Sequence, residues 1–303
     1  MSRKNTRWAV VLDGHGDGGR EVAHAVADEA QEMLNDDALD AEGLQRAALR
    51  AVESKKGAKG GTTFTCATVS LTNDRVDVEF QWAGDSTGLI VTPSGVTRTK
   101  DHIPTNRLEH LRVLNRGGAM VYHALKSPCP IPIFDAENEL IDYGAHPAAQ
   151  AMKALWAAQE GCEKEPSEAA SHALQLAKKN YEAFKHVVVP FQFLHLRNAA
   201  GEHGCYFSTP AGSTAVTRSF GDFYMRPFGL THELESLKIS VVGERGCVFL
   251  ASDGVHDCFK VDELASLLST TESDDELHSI FVQKRKALFG KEGDDMEWAR
   301  LKF

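Results

Sequence analysis

A chain of 303 residues that is 42% apolar can bury one large core or two smaller ones. With 43 acidic against 33 basic residues the net charge is -10, which argues against a nucleic-acid surface and leaves acids to gather around cations. No stretch approaches the roughly 18 apolar residues of a membrane span, MSRKNTR lacks the apolar region of a signal peptide, and six scattered cysteines contain no CxxC pair. The expectation is an intracellular, cytoplasmic protein with reduced thiols and neither nucleic acid nor membrane as partner.

WAVVL (8–12) is a short apolar run that ends on Asp13-Gly14-His15, followed by a crowd of glycines. Asp-Gly after such a run also signals a simple hairpin turn. EVAHAVADEAQEML (21–34) puts Val22, Val26, Ala30 and Met33 on one face of a helix, and AEGLQRAALRAV repeats the pattern more weakly. KKGAKGG breaks helical geometry ahead of TTFTCATVSL, whose β-branched residues predict a strand. After a Thr72-Asn73-Asp74 turn, RVDVEFQW (75–82) alternates Val76, Val78, Phe80 and Trp82 with polar residues, the period of a half-buried antiparallel strand.

Between 145 and 185 two helical stretches follow one another, the second with Ala173, Ala177, Tyr181 and Phe184 on one side, and they read as an inserted unit. LKISVV (237–242) and CVFLAS (247–252) return to strand, Ser273 to Glu276 forms a capping box at a helix start, and MEWARLKF closes as a strand. Strands joined by antiparallel-type turns, with helices between them, predict an α+β fold.

The opening pattern recurs. FQWAGD ends at Asp85, VFLASDG at Asp253, and GDDM offers Asp294 and Asp295 just before the last strand. Strands that deliver carboxylates at their ends gather like charges on one rim, an arrangement that needs a compensating cation. Hard oxygen donors suit magnesium or manganese rather than zinc.

In order and wording these segments resemble the metal-dependent serine/threonine protein phosphatases called PPM, or type 2C. LDGHGDGG is similar to that family's DGHGG motif, GGTTFTCATV to its GSTA strand and WAGDSTGLI to its GDSR strand. TKDHIP, followed by Glu109, Arg112 and Gly117-Gly118, resembles its DHKP segment; AVTRSFGDF resembles AVSRxxGD, ASDGVHD resembles ASDGLWD, and DDMEWARLKF resembles its final DNMTV strand.

The resemblance implies one phosphatase domain over 1–303, an α+β, four-layer αββα sandwich of two antiparallel β-sheets flanked by helices. A helical insertion is expected at about 122–212, where no motif matches. It also implies two Mg2+ or Mn2+ ions, with a third in some cases. Asp13 would bridge the pair, the Gly14 carbonyl would assist, Asp253 and Asp294 would complete one shell, and Asp101 and Asp257 would serve the weaker third ion. Two metals sharing a water would activate it for attack on a phosphoserine or phosphothreonine of a phosphoprotein, with His15 as general acid. The alternative is a pseudophosphatase, a binding or regulatory module that holds a protein partner through the insertion.

Other readings stand beside these. Asp85 reads as a turn-fixing residue beneath the site, Arg218 and Asp222 as a mutually paired buried couple, and, as the lesser alternative, His15 as the hydrogen-bond partner of a carboxylate. GGTTF reads as a turn into a strand, since no GK[ST] follows it. The family carries an arginine for the phosphate and an acidic pair ahead of DGHGG, whereas only seven residues precede Trp8 here, none acidic. Arg3 or Arg7 is the candidate for the arginine and Asp17 for the acid, and His256 stands where the family has tryptophan.

Overall fold

The structure is a computed structural model that describes residues 5–36, 38–55, 59–72, 74–104, 106–116, 119–121, 147–182, 206–209, 211–290 and 294–303. The chain begins with β1 (Asn5–Val11), β2 (Gly14–His15), α1 (Gly19–Asn35) and α2 (Ala41–Ser54), then β3 (Gly61–Thr62), β4 (Phe64–Leu71), β5 (Arg75–Ala83), β6 (Thr87–Thr92) and β7 (Gly95–Arg98). α3 (Arg107–Asn115), β8 (Ala119–Val121), α4 (Pro147–Lys164), α5 (Glu168–Glu182), β9 (Tyr206–Thr209), β10 (Gly212–Thr214) and β11 (Phe220–Gly221) follow. A 3-10 turn at Phe223–Phe228 leads to β12 (Glu235–Val242), β13 (Cys247–Ala251), α6 (Asp253–His256), α7 (Val261–Thr270), α8 (Asp274–Phe289) and β14 (Trp298–Lys302).

Two four-stranded antiparallel sheets result, in the orders β1-β4-β5-β12 and β14-β13-β6-β7. Side-chain alternation shows how they stack. Val76, Val78, Phe80 and Trp82 of β5 meet Ala67 and Val69 of β4, Ile90 of β6 and Val248 and Leu250 of β13 in one core between the sheets. The opposite face of β4, through Phe64 and Cys66, packs on Val22, Val26 and Ala30 of α1 and Leu44 and Ala48 of α2. The opposite face of β13, through Cys247, Phe249 and Ala251, packs on Leu264 and Leu268 of α7 and Leu277 and Phe281 of α8. The order helix, sheet, sheet, helix is the expected four-layer arrangement.

The first strand begins at Asn5, ahead of the apolar run, because β4 pairs with it from Asn5↔Leu71 to Val11↔Thr65 and supplies hydrogen bonds to polar residues as readily as to apolar ones. The Ser273 side chain accepts from the Glu276 N–H and caps α8 as the sequence predicts. α7 carries no comparable cap and went unread.

Of the expected insertion, α4 and α5 are described and pack on each other. In α5 Ala177 is buried but Ala173 is exposed, and Phe184 lies outside the described residues, as does Gly117-Gly118. The end of the insertion is strand rather than helix: β9 pairs with both β8 and β10 in a small sheet. No helix among the described residues is long and apolar enough to cross a membrane.

Candidate functional site

Asp13 leaves the end of β1 with its backbone pinned. Its N–H donates to Thr63 Oγ1 at 2.9 Å, and its carbonyl accepts from the Thr63 N–H at 2.9 Å and the Thr62 hydroxyl at 3.1 Å. GGTTF is thus the brace of the Asp13 turn. The next two residues form β2, paired with β3, which pairs in turn with β11. This small sheet carries His15 to Asp222: Nε2 lies 2.6 Å from Asp222 Oδ2, which also accepts the Ser219 hydroxyl at 2.7 Å. The contact depends on Gly61 between them, where a Cβ would stand 2.1 Å from Asp222 Oδ2 and 2.9 Å from His15 Nε2. Burial opposes charge on the imidazole, but the Asp222 bond outweighs it and the His15 pKa is raised.

Asp253 opens α6 directly after β13. The segment around Asp294 is tied to it by Ser252, whose N–H donates to the Glu297 carbonyl at 2.9 Å and whose hydroxyl accepts the Glu297 N–H at 3.1 Å. Gly254 permits this closeness, since a Cβ there would lie 2.1 Å from the Asp295 carbonyl.

The Asp13 and Asp253 side chains are hydrogen-bonded to one another, and Asp294 adds its field. Burial first, then the Asp253 charge, pushes Asp13 up to about 8; Asp253 is raised by burial and by Asp294. Neighbouring carboxyls disfavour ionising side by side, and the pair is raised for that reason. Asp253 Oδ1 is closed to solvent and has no hydrogen-bond partner among the described residues.

Asp85 belongs to the same group. Ser86 bonds Thr63 Oγ1 at 2.7 Å, and the Asp85 carboxyl is driven well above the usual range by burial, then by Asp253, Asp101 and Asp13. Asp85 therefore lies within electrostatic reach of Asp253, Asp101 and Asp13.

Asp101 is held by protein, accepting Thr87 Oγ1 at 2.9 Å and an Arg98 N–H at 2.6 Å. Asp257 closes α6, its N–H donating to the Asp253 carbonyl at 2.7 Å. Gly14 sits in β2 opposite Thr62. Among the described residues no three His, Cys, Asp or Glu side chains stand ready-arranged around one point for a metal ion. Asp13, Asp253 and Asp294 nonetheless fit a hard divalent cation by their chemistry: all are oxygen donors, two lean on each other for want of positive charge, and one oxygen is orphaned.

Several expectations are corrected. Arg218 does not pair with Asp222; it binds Glu109 at 2.7 Å, together with Arg112 at 2.7 Å and the Thr217 hydroxyl at 2.7 Å. Burial would raise Glu109, but the two guanidinium groups prevail and hold it well below the usual carboxylate range. Nearby, His102 stacks on Trp82, accepts the Gly84 N–H at Nδ1 and donates from Nε2 to Glu235; burial, then Arg218, lowers its pKa to about 4.

Arg7 donates to the Lys302 carbonyl at 2.7 Å, six residues before Asp13 on β1, which takes it away from a phosphate role; Arg3 lies outside the described residues. Asp17 is exposed and pairs with Lys55 at 3.0 Å. His256 is lowered to about 3 by burial and then Arg98, and its Nε2 has no partner among the described residues.

The sequence reading missed the Asp222 bond as the reason for SFGD and Glu109 as a hub. The Glu109…Arg112 spacing of i,i+3 was the available signal for the latter.

No curated protein matches the sequence. Among solved structures, a Caenorhabditis elegans sex determining protein is 17% identical with a TM-score of 0.53, the alignment covering 97% of this chain and 56% of that one. A serine-threonine phosphatase 2C from Toxoplasma gondii is 17% identical, with 100% and 86% covered and a TM-score of 0.49. A serine/threonine phosphatase from Staphylococcus aureus is 15% identical, with 98% and 84% covered and a TM-score of 0.48. The chain thus spans little more than half of the first of these proteins. The family model described as protein phosphatase 2C matches residues 2–125 and 203–288, well over half of the chain, and the chain belongs to that family.

Proposed function

We propose that the chain is a Mg2+- or Mn2+-dependent phosphatase acting on phosphoserine and phosphothreonine of proteins. The observation that carries the reading is the interacting Asp13 and Asp253 pair with its orphaned oxygen, Asp13 standing two residues from a carboxylate-held His15. Asp13, Asp253 and Asp294 would hold the cation. When bound, it supplies Lewis-acid activation of water and neutralises phosphoryl charge.

The chain's own side chains do the rest. The Thr62 and Thr63 bonds fix the Asp13 backbone, so its carboxylate is aimed before substrate arrives. Asp222, itself bonded by the Ser219 hydroxyl, orients the His15 ring and favours its protonated form. That proton can pass to the serine or threonine oxygen as its bond to phosphorus breaks, leaving a neutral hydroxyl and inorganic phosphate.

A pseudophosphatase is the second reading, favoured by one observation: Arg7 and Asp17, the candidates for phosphate and cation contacts, are engaged elsewhere. A protein partner bound through the 122–212 insertion belongs to that reading. A cytoplasmic, intracellular setting is part of the proposal and is supported by free Cys66, Cys162, Cys247 and Cys258. The test is phosphate release from phosphoserine and phosphothreonine peptides with manganese. Asp13→Asn and Asp253→Asn should each lower it about 100-fold or more. No turnover by the unmodified chain at saturating manganese would favour the binding module.

A further inference from the structure

We infer that Arg226 is a positioning residue for His15: its guanidinium clamps the 219–222 turn so that the Asp222 carboxylate stands where the His15 ring can bond to it. The inference deepens the reading of His15 as proton donor and rests on that reading for its effect on turnover. Gly221 at φ 88° and Asp222 at φ 45° are consecutive left-handed residues, and Asp222 is the one non-glycine at positive φ among the described residues. Such a backbone persists only where its surroundings over-determine it.

Those surroundings converge on Arg226. β11 is the edge of its small sheet, so the Gly221 backbone finds partners outside the ladder. The Gly221 N–H donates to Gln45 Oε1 of α2 at 3.3 Å, and the Gly221 carbonyl accepts Arg226 Nη2 at 3.2 Å and Nε at 3.3 Å. Nη2 also donates to the Ser219 carbonyl at 2.9 Å. One guanidinium thus spans the turn from Ser219 to Gly221. Inside it, the Ser219 hydroxyl donates to Asp222 Oδ2 at 2.7 Å, and the same oxygen meets His15 Nε2 at 2.6 Å.

Arg226 is held in its turn by α2. Its Nη1 donates to His232 Nδ1, which leaves His232 Nε2 to donate to Glu42 Oε1 at 3.0 Å. Glu42 and Gln45 both lie on α2, so this helix braces the turn at two points. The Phe223 ring lies beside the guanidinium, its centroid 5.9 Å from Cζ. A planar fork can hold two carbonyls and an imidazole in fixed directions together; a lysine ammonium on a flexible stem cannot. Among the described residues no Arg226 bond touches His15, and its influence on the ring runs through Asp222.

The experiment uses the full chain, isotopically labelled at its histidine nitrogens and free of added metal, so that magnetic resonance reports on the rings whether or not the chain turns over. The His15 signals are those lost in His15→Gln. They should shift in Asp222→Asn, shift the same way in Arg226→Met, and shift by less in Arg226→Lys. His15 signals unmoved in both Arg226 variants, or in Asp222→Asn, overturn the assignment. So does loss of the native near-UV spectrum in both Arg226 variants, which returns the residue to a structural role. Phosphate release with manganese adds a second readout: Arg226→Met should lower kcat about tenfold with KM little changed, and should cost nothing further in a His15→Gln background. An equal loss in that background overturns the proposal, because Arg226 would then act on the fold at large. No turnover by the unmodified chain sinks the phosphatase reading alone, and the spectra still decide the positioning.

Discussion

Two regions of the molecule bury carboxylates, and they do so with opposite electrostatic results. Around Glu109, two arginines and a threonine hydroxyl surround one acid and drive its pKa down. At the acidic edge, the half-buried Asp13, Asp85 and Asp253 have their pKa values driven up. The first ties α3 to the strand and turn segments around Arg218 and Gly229 and is satisfied by protein alone. The second is left short of positive charge, which is how a site differs from a brace: strain is retained where an outside group will relieve it.

The largest expected effect is on the brace. Glu109→Gln leaves Arg112 and Arg218 buried without their shared carboxylate and should lower stability by about 3–5 kcal/mol in denaturant titration. A loss below about 1 kcal/mol would show that the cluster is ornamental and erase the contrast.

Next is pH, where the two regions slope in opposite directions. Glu109 has its folded pKa below the unfolded value of 4.5, so its contribution is present above that value and is lost as pH falls below it. His102 is neutral in the fold, with its pKa lowered to about 4 from 6.5. The unfolded chain gains its proton first, and stability falls as pH drops from 6.5 toward 4. Asp13, raised from 3.8 to about 8, does the reverse: its protonated form is the comfortable one, and the cation-free chain loses stability as pH climbs between those values. Melting in EDTA should therefore peak in weak acid and decline on both sides, and manganese should flatten the alkaline limb alone. An alkaline limb untouched by manganese would break the assignment of strain to the acidic edge.

The smallest effect belongs to Asp17, whose pairing with Lys55 is exposed. Asp17→Ala should leave manganese-dependent activity and melting temperature unchanged within error, because a solvated pair has neither the desolvation nor the strain of the buried ones. Activity falling as far as in Asp13→Asn would restore Asp17 to the site.

What was legible in the sequence follows from range. The period-two pattern of β5 and the Ser273 cap are local, and both read correctly. Asp13 and Asp253 could be picked out because each follows the end of an apolar strand, β1 and β13. The partner of His15 could not, since Asp222 lies 207 residues away and nothing in SFGD distinguishes a bond to Arg218 from one to His15. β9 hid inside a segment whose helical stretches set its texture.

The carbonyl of Asp295 that rests against Gly254 also governs when the centre can exist. One acid follows β1, the others lie beyond residue 250, and the segment before β14 must dock on Ser252 and Gly254 before they can meet. A partly synthesised chain therefore carries the acids without the constellation. The acidic edge is thus completed late in folding, and a product cut short before β14 would lack it however well its first sheet had formed.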